Sequence, residues 1–567
     1  MKTSFLYLAI GAGALLMLNT GCSKKLSQFR SSYFTTIPTP LETVGQNVPG
    51  TVKATVPPKF MVKNAKVTAT PVLQWSTGLN TTDEALAQPV IFQGEDVRAN
   101  GQVVNYENGG NVSIPFSIPY VPAMEKSDLY LDFSVDQNGK IYTLPRVKVG
   151  YGVVATSTLA SAKTVRPAVA KDNFQKVITE KYSADIHFLI NQANIRASQT
   201  DKPDYIDLNK RLMEANNAAD QEIAGITINS YASPEGSLEF NTQLAEKRES
   251  NTTKLMENQL KKDKITEFGE LTASFTPEDW EGFQKLVEKS NIQDKDLIIS
   301  VLKMYPDPVE REREIRNLSS VFNELADQIL PQLRYSRVMA TINVLGKSDQ
   351  ELLNLFNTDP SKLTENEILY LATLTNDDMK KLEIYNTAAE TKSKDYRTFN
   401  NLGAIQYVYG DYDGAKANWE HALRLNPNAK EPQMNLGLIA MLNNDYSKAN
   451  ELIGSVTGVP ESADALGVYY LQQGDLQKAI GTFGDAKTNN AALARILNKD
   501  YAAARDILAE VKVPDATTYY LSAVLGARTN NQNMVMNNLR QAVKLDKNLL
   551  NRAQNDIEFS KFNLSYL

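Results

Sequence analysis

Cysteine, histidine and tryptophan are scarce: the 567 residues include one Cys, two His and three Trp. A single thiol forms no intrachain disulfide, so stability must come mainly from burial. The histidines, His187 and His421, stand far apart in the sequence, which excludes a zinc site built from clustered His and Cys ligands. No phosphate-cradling loop, dinucleotide fingerprint or Gly-x-Ser-x-Gly elbow occurs. The reading is of a non-enzymatic chain without metal or cofactor, with both histidines packed or at the surface. Carboxylates are plentiful, but Glu310 to Glu314 alternates with arginines, the pattern of a solvated helix face. With 60 Lys+Arg against 66 Asp+Glu, the chain has no electrostatic footprint for nucleic acid.

Long apolar runs are also missing beyond the N-terminus. There Lys2 precedes an apolar and small-residue run from Phe5 to Leu18, shorter than the ~20 residues of a membrane span. It ends in Leu18-Asn19-Thr20-Gly21-Cys22. This segment resembles a bacterial lipoprotein signal, with Gly21 before the cut and Cys22 as the lipidated residue; Asn19 stands where the usual leucine would be. The resemblance implies a signal peptide over 1–21, an anchor linker over 22–26 and a chain tethered to, rather than spanning, the outer membrane. Ser23-Lys24-Lys25 lacks the acidic run that resembles a surface-export signal, which favours a periplasm-facing orientation.

What remains is long enough for several cores, and its patterning changes along the chain. Over 27–160, period-two runs such as Thr51-Val52-Lys53-Ala54-Thr55-Val56, Lys66-Val67-Thr68-Ala69-Thr70 and Leu129-Tyr130-Leu131-Asp132-Phe133 are separated by turn residues. Asn138-Gly139 is the strongest hairpin signal. A β-sandwich of immunoglobulin-like kind is expected. Over 165–346 strands alternate with helices: strands at Ile186–Ile190, Gly225–Asn229 and Arg337–Val344, helices at Tyr205–Ala219 and Leu238–Leu260, and a helical insertion over about 263–333. That is an α+β domain.

Everything over 365–567 reads as helical and repetitive. Leu402-Gly403 recurs as Leu436-Gly437, Tyr412 as Tyr446 and Ala415 as Ala449, each displaced by 34 residues. Leu466-Gly467 with Ala479, Tyr501 with Ala504, and Ala523 with Leu539 and Ala542 mark weaker copies. Period and residue types resemble tetratricopeptide repeats, which implies an all-α solenoid. Small residues at 403 and 415 let two helices cross closely, Trp419 and Ala422 fill the next interface, and Pro427 stops the second helix.

In the middle domain, Ser230-Tyr231-Ala232-Ser233-Pro234-Glu235-Gly236-Ser237 runs into Leu238-Glu239-Phe240-Asn241-Thr242-Gln243-Leu244-Ala245-Glu246-Lys247-Arg248. This resembles the OmpA-like peptidoglycan-binding family, in a Bacteroidetes branch with a helical insertion before the last strand. Glu278-Asp279-Trp280-Glu281-Gly282-Phe283 and Leu330-Pro331-Gln332-Leu333-Arg334 fit that branch too. Carried over by position, Gly236, Asn241, Leu244 and Arg248 match the family pattern. Ser233 stands at its aspartate and Ala245 at its serine. The resemblance implies an arginine forked onto a peptide carboxylate near a helix N-terminus. Without the aspartate, the ligand's ammonium has no counter-charge.

In the repeats, the resemblance places a ligand groove at Asn400, Ala404 and Tyr407, then Met434, Leu438 and Met441, then Val468 and Leu471. This row holds no lysine, so an apolar or amphipathic partner segment is expected, with methionines supplying adaptable contact; internal packing of some of these residues is the other outcome. The functional expectation is a scaffold subunit holding protein partners, a β-barrel complex among them, in an assembly, secretion or import machine of the outer membrane. A peptidoglycan tether acting through Ser233 and Arg248, and a fimbrial or adhesin anchor, are the alternatives.

Overall fold

The computed structural model describes residues 25–292, 295–317, 319–392, 394–565 and 567. The signal segment and Cys22 lie outside the described residues. The chain forms two compact units, one made of the residues through Lys171 with Asp377–Leu567, the other Asp172–Asn376.

The N-terminal part of the first unit is mostly β-sheet. Phe34–Ile37, Asn47–Val56 and Gly110–Pro119 make an antiparallel three-stranded sheet. A larger sheet runs in the order Lys140–Tyr151, Ser127–Gln137, Ala65–Gly78, Val90–Gly94, Gln102–Val104, with Thr81–Leu86 also pairing with Ala65–Gly78. Alternation decides which face is inside: along Ser127–Gln137 every second residue is buried, placing Leu129, Leu131, Phe133 and Val135 in the core. Val52, Ala54 and Ile114 of the smaller sheet share that core. The Asn138-Gly139 turn joins its strands with both residues at positive φ, 53° and 80°, as a tight hairpin of right-handed twist requires.

The C-terminal half is a helical repeat array resembling tetratricopeptide repeats. Five hairpins follow one another: Tyr396–Val408 with Tyr412–Leu425, Lys430–Leu442 with Tyr446–Gly454, Ser462–Gln472 with Leu476–Phe483, Asn489–Leu497 with Tyr501–Ala509, and Ala516–Arg528 with Gln532–Leu545. Each turn is built alike. Gly410, Asn444, Gly474, Lys499 and Asn530 take positive φ. The next residue, Asp411, Asp445, Asp475, Asp500 or Asn531, caps the second helix through its side chain. Eight positions before each cap sits a small buried residue, Gly403, Gly437, Gly467, Ala492 or Ala523, where the helices cross. A Cβ on Gly403 would stand 2.8 Å from Trp419 Nε1.

In the second unit a four-stranded sheet runs Val177–His187, Tyr335–Leu345, Gln221–Tyr231, Glu270–Thr276, with only the last pair parallel. Pro203–Asn217 and Leu238–Lys262 supply Leu208, Leu212, Met256 and Leu260 to its core. The helical insertion lies between Glu270–Thr276 and Tyr335–Leu345, and its helices have a core of their own around Phe283, Val287, Ile298 and Leu325.

Several boundaries differ from the sequence reading. Glu270–Thr276, read as insertion, is an edge strand with no buried residue, so it carries no burial signal. Phe188–Ile190 lies beyond the first strand, which ends at His187. Glu365–Leu371, read as the start of the array, belongs to the second unit, where Lys347 pairs with Glu367 at 2.7 Å and Phe174 packs on Tyr370. The Glu310–Glu314 face is not wholly solvated: Arg311 donates to the Tyr305 and Leu302 carbonyls at 2.9 and 3.2 Å.

Candidate functional site

Two places collect the expected site residues, one in each unit. On the array, Asn400, Ala404, Tyr407, Met434, Leu438, Met441, Val468 and Leu471 are all buried. What covers them is the chain itself. Residues 155–171, which follow the last sheet strands, pass along the first helices of the hairpins, and Ala160, Ala162, Val165 and Ala168 share one core with Tyr407, Met434, Leu438, Met441, Val468 and Leu471. The face expected to receive a partner segment is filled by this strap.

The strap is held by its backbone. Asn435 accepts from the Ala168 N–H at 2.7 Å and donates to the Ala168 carbonyl at 2.9 Å. Asn401 makes the same two-way grip on Ala170, at 2.8 and 3.0 Å. Asn400 adds a second donor to the Ala168 carbonyl at 3.0 Å. Tyr407 Oη donates to the Ala162 carbonyl at 2.7 Å, and Gln472 Nε2 to that of Ala160 at 3.2 Å. Burial raises the Tyr407 phenol above its ordinary pKa, which keeps it a donor. Asn401 and Asn435 escaped the sequence reading. Their signal was present, since they share the 34-residue displacement of Leu402-Gly403 and Leu436-Gly437. Asn490 occupies the corresponding place in the fourth hairpin, ten residues before the cap, and accepts from Thr164 Oγ1 at 2.9 Å.

Asn490 also donates to Asp464 at 3.1 Å. Burial holds the Asp464 carboxyl above its ordinary value of 3.8, against the bonds from Asn490 and Thr488. The unfolded chain therefore ionises first, and this group's contribution to stability falls as pH rises from about 3.8 through the raised folded value. Asp464→Asn is expected to flatten that part of the stability profile and to leave the array more stable than wild type at neutral pH. Denaturation midpoints measured between pH 4 and 7 check this; an unchanged slope would contradict it.

The second place is the turn after strand Gln221–Tyr231. Ser237 caps helix Leu238–Lys262 by accepting from Phe240 N. Asn241 is buried and donates to the Gly236 carbonyl at 3.0 Å, bracing the turn. Ser233 donates to Glu235 Oε1 at 2.8 Å, and Arg334 forks onto both Glu235 oxygens at 3.0 and 2.9 Å. A carboxylate thus stands two residues from the position where the family pattern has one, already neutralised by an arginine 99 residues away. No spacing rule would have revealed that pairing.

Arg248 is fully buried. Its guanidinium donates to the carbonyls of Gln192, Tyr231 and Leu189 at 3.0, 2.8 and 3.3 Å and lies over the Phe188 ring at 5.0 Å. Burial, with the Arg334 charge adding to it, lowers its pKa to about 10, so it stays protonated at neutral pH. All three kinds of nitrogen face protein carbonyls, which leaves the fork unavailable to a ligand carboxylate in this conformation. Leu244 borders an open depression of about 450 Å³ lined also by Asn191, Phe240, Gln243, Lys247 and Asn251. Of the histidines, His187 is half-buried with Lys202 Nζ 3.2 Å from Nδ1, and His421 stacks on Phe399 at 4.1 Å. Burial, then the Lys202 charge, lowers the His187 pKa. Among the described residues, no group of three or more His, Cys, Asp or Glu is placed to hold a metal.

No protein-family model matches the chain. Over 111 residues it is 35% identical to the BBSome complex member BBS4 of Bos taurus, a stretch covering 19% of this chain and 21% of that protein. The chain thus spans about a fifth of the length of the curated relative it matches. Among solved structures it is similar to a tetratricopeptide repeat protein from Parabacteroides merdae, with 14% identity, coverage of 36% of this chain and 88% of that one, and a TM-score of 0.30. It is similar also to the anaphase-promoting-complex hetero-tetramer Cut9–Hcn1, with 19% identity, coverage of 37% and 45%, and a TM-score of 0.32.

Proposed function

We propose that this chain is a non-enzymatic protein-interaction scaffold of the bacterial outer envelope, anchored through Cys22 to the periplasmic face of the outer membrane. One observation carries the scaffold reading: a five-hairpin helical array, the architecture of modules that present a long surface to other proteins, fills the C-terminal part of the chain. The curated relative is by name a member of a complex, which is in line with a subunit role. The lipid anchor and the membrane placement rest on the N-terminal sequence. Among the described residues no helix is long and apolar enough to cross a membrane.

We read the second unit as OmpA-like and the sheet region as an immunoglobulin-like sandwich, both serving as spacers and docking surfaces. The helical insertion before the last strand, Tyr335–Leu345, supports the first of these. The commitment of Arg248 to backbone carbonyls and of Glu235 to Arg334 weighs against peptidoglycan tethering. The partners proposed are a β-barrel and other lipoproteins of an assembly, secretion or import machine.

The test is gentle solubilisation of membranes and affinity purification through a C-terminal tag. Stoichiometric recovery of a β-barrel with further lipoproteins is the expected result. Recovery of the chain alone, together with sedimentation on sacculi, would replace the scaffold with a wall tether.

A further inference from the structure

The strap contacts are of an unusual kind for a linker. A segment that merely connects two regions needs no buried carboxamides beneath it, and burying one unsatisfied is unfavourable. Here Asn400, Asn401 and Asn435 are between 0% and 2% exposed, and they bond the backbone of Ala168 and Ala170. Two of them each bond an N–H and a C=O of the same residue, the pairing an extended chain presents to a neighbouring strand. Such contacts read backbone, not side chains.

Four of the side chains that enter are alanines, and Val165 and Pro167 are buried with them. Ala160, Ala162, Ala168 and Ala170 are buried, whereas Val169 between the last two is exposed. The floor therefore selects segments whose inward residues are small and apolar. Were the strap to leave, the array would expose paired amide donors and acceptors beside Met434, Leu438 and Val468, which is a peptide receptor's chemistry.

We propose that the concave face of the array is a backbone-reading peptide site, occupied in cis by residues 160–170, which admits in trans a partner segment with small apolar side chains at its inward positions when the strap is displaced. This deepens the scaffold reading and rests on it. A tethered occupant acts at an effective concentration on the order of millimolar. A free segment making the same contacts competes poorly with it, so the strap seals the face against casual ligands and makes strand exchange the route of entry.

The experiment measures fluorescence anisotropy of a labelled synthetic peptide of residues 158–171 with the full chain. Wild type is expected to bind at least tenfold more weakly than Ala168→Glu, whose strap no longer fits the buried position. Adding Asn401→Leu and Asn435→Leu to that variant should abolish binding. Pro167→Gly keeps the strap's backbone bonds but removes a buried ring and loosens the displaced segment, so it should strengthen binding by about threefold. That variant covers the case in which Ala168→Glu unfolds, which circular dichroism detects. Folded variants that bind no better than wild type, or binding that survives loss of both asparagines, would overturn the proposal. Co-purification of membrane partners is unaffected by this result, so failure here leaves the scaffold reading standing and failure there does not explain this one.

Discussion

Arg248→Lys is expected to destabilise the second unit by about 3 kcal/mol, no less than Arg248→Met does, since each bond lost to a buried charged donor is worth roughly 1.5–3 kcal/mol and relaxation recovers part. The guanidinium is planar and reaches three carbonyls, on Leu189, Gln192 and Tyr231, from one position. An ammonium is a compact, strongly hydrated point charge that serves no such spread set. Lysine would keep the unfavourable burial that depresses the Arg248 pKa and lose most of the bonds that offset it. Methionine would lose the bonds and the charge together, leaving three buried acceptors. Were Arg248 instead an anion receptor, lysine would be the mildest substitution and both changes would leave stability within about 0.5 kcal/mol, as surface changes do. Hydrogen exchange of the Tyr335–Leu345 amides, in the strand that pairs with both Val177–His187 and Gln221–Tyr231, reads the loss within this unit alone.

The sequence was most legible where a period repeats. Alternation along Ser127–Gln137 and the 34-residue spacing around Gly403 and Gly437 each follow from one element burying one face, and both appear where expected. Glu270–Thr276 was not legible because an edge strand without buried residues has no apolar alternation to display. The strap is a harder case. Residues 155–171 are rich in Ala, Ser and Thr and look like a linker. Their binding partner lies more than 230 residues away at Asn401 and Asn435, and a bond to backbone leaves no complementary mark in the strap's own side chains. The groove residues were found from one side only. Asn400 came from the repeat position, but nothing in the sequence placed an occupant on it. The turn at Ser233 failed similarly: the serine was visible, and the Glu235–Arg334 pair beside it was not.

The first unit also rests on a second distant contact, and breaking it should have an effect as large as that at Arg248. Glu558, after the last hairpin, accepts from Arg528 at 2.6 Å and from Thr156 Oγ1, at the strap's beginning, also at 2.6 Å. Both charged side chains are 7% exposed. Glu558→Ala is expected to lower stability by about 3 kcal/mol, the low end of the range for orphaning a buried charge. The low end applies because Glu42, 3.7 Å from Arg528, retains part of the compensation. Pairing the change with Arg528→Met should recover part of the loss, since no buried charge is then left without its partner, while the cavity left by truncating Glu558 remains. A double-mutant cycle on thermal unfolding measures the coupling, and additive effects would contradict a direct ion pair. The single change should also expose the strap from its Thr156 end, quickening cleavage after Lys163 by a basic-residue protease, because Thr156 loses the acceptor that fixes the strap's start beside the last repeat. Unchanged cleavage with lowered stability would mean that the strap is held without Thr156, by its buried side chains and the array's asparagines.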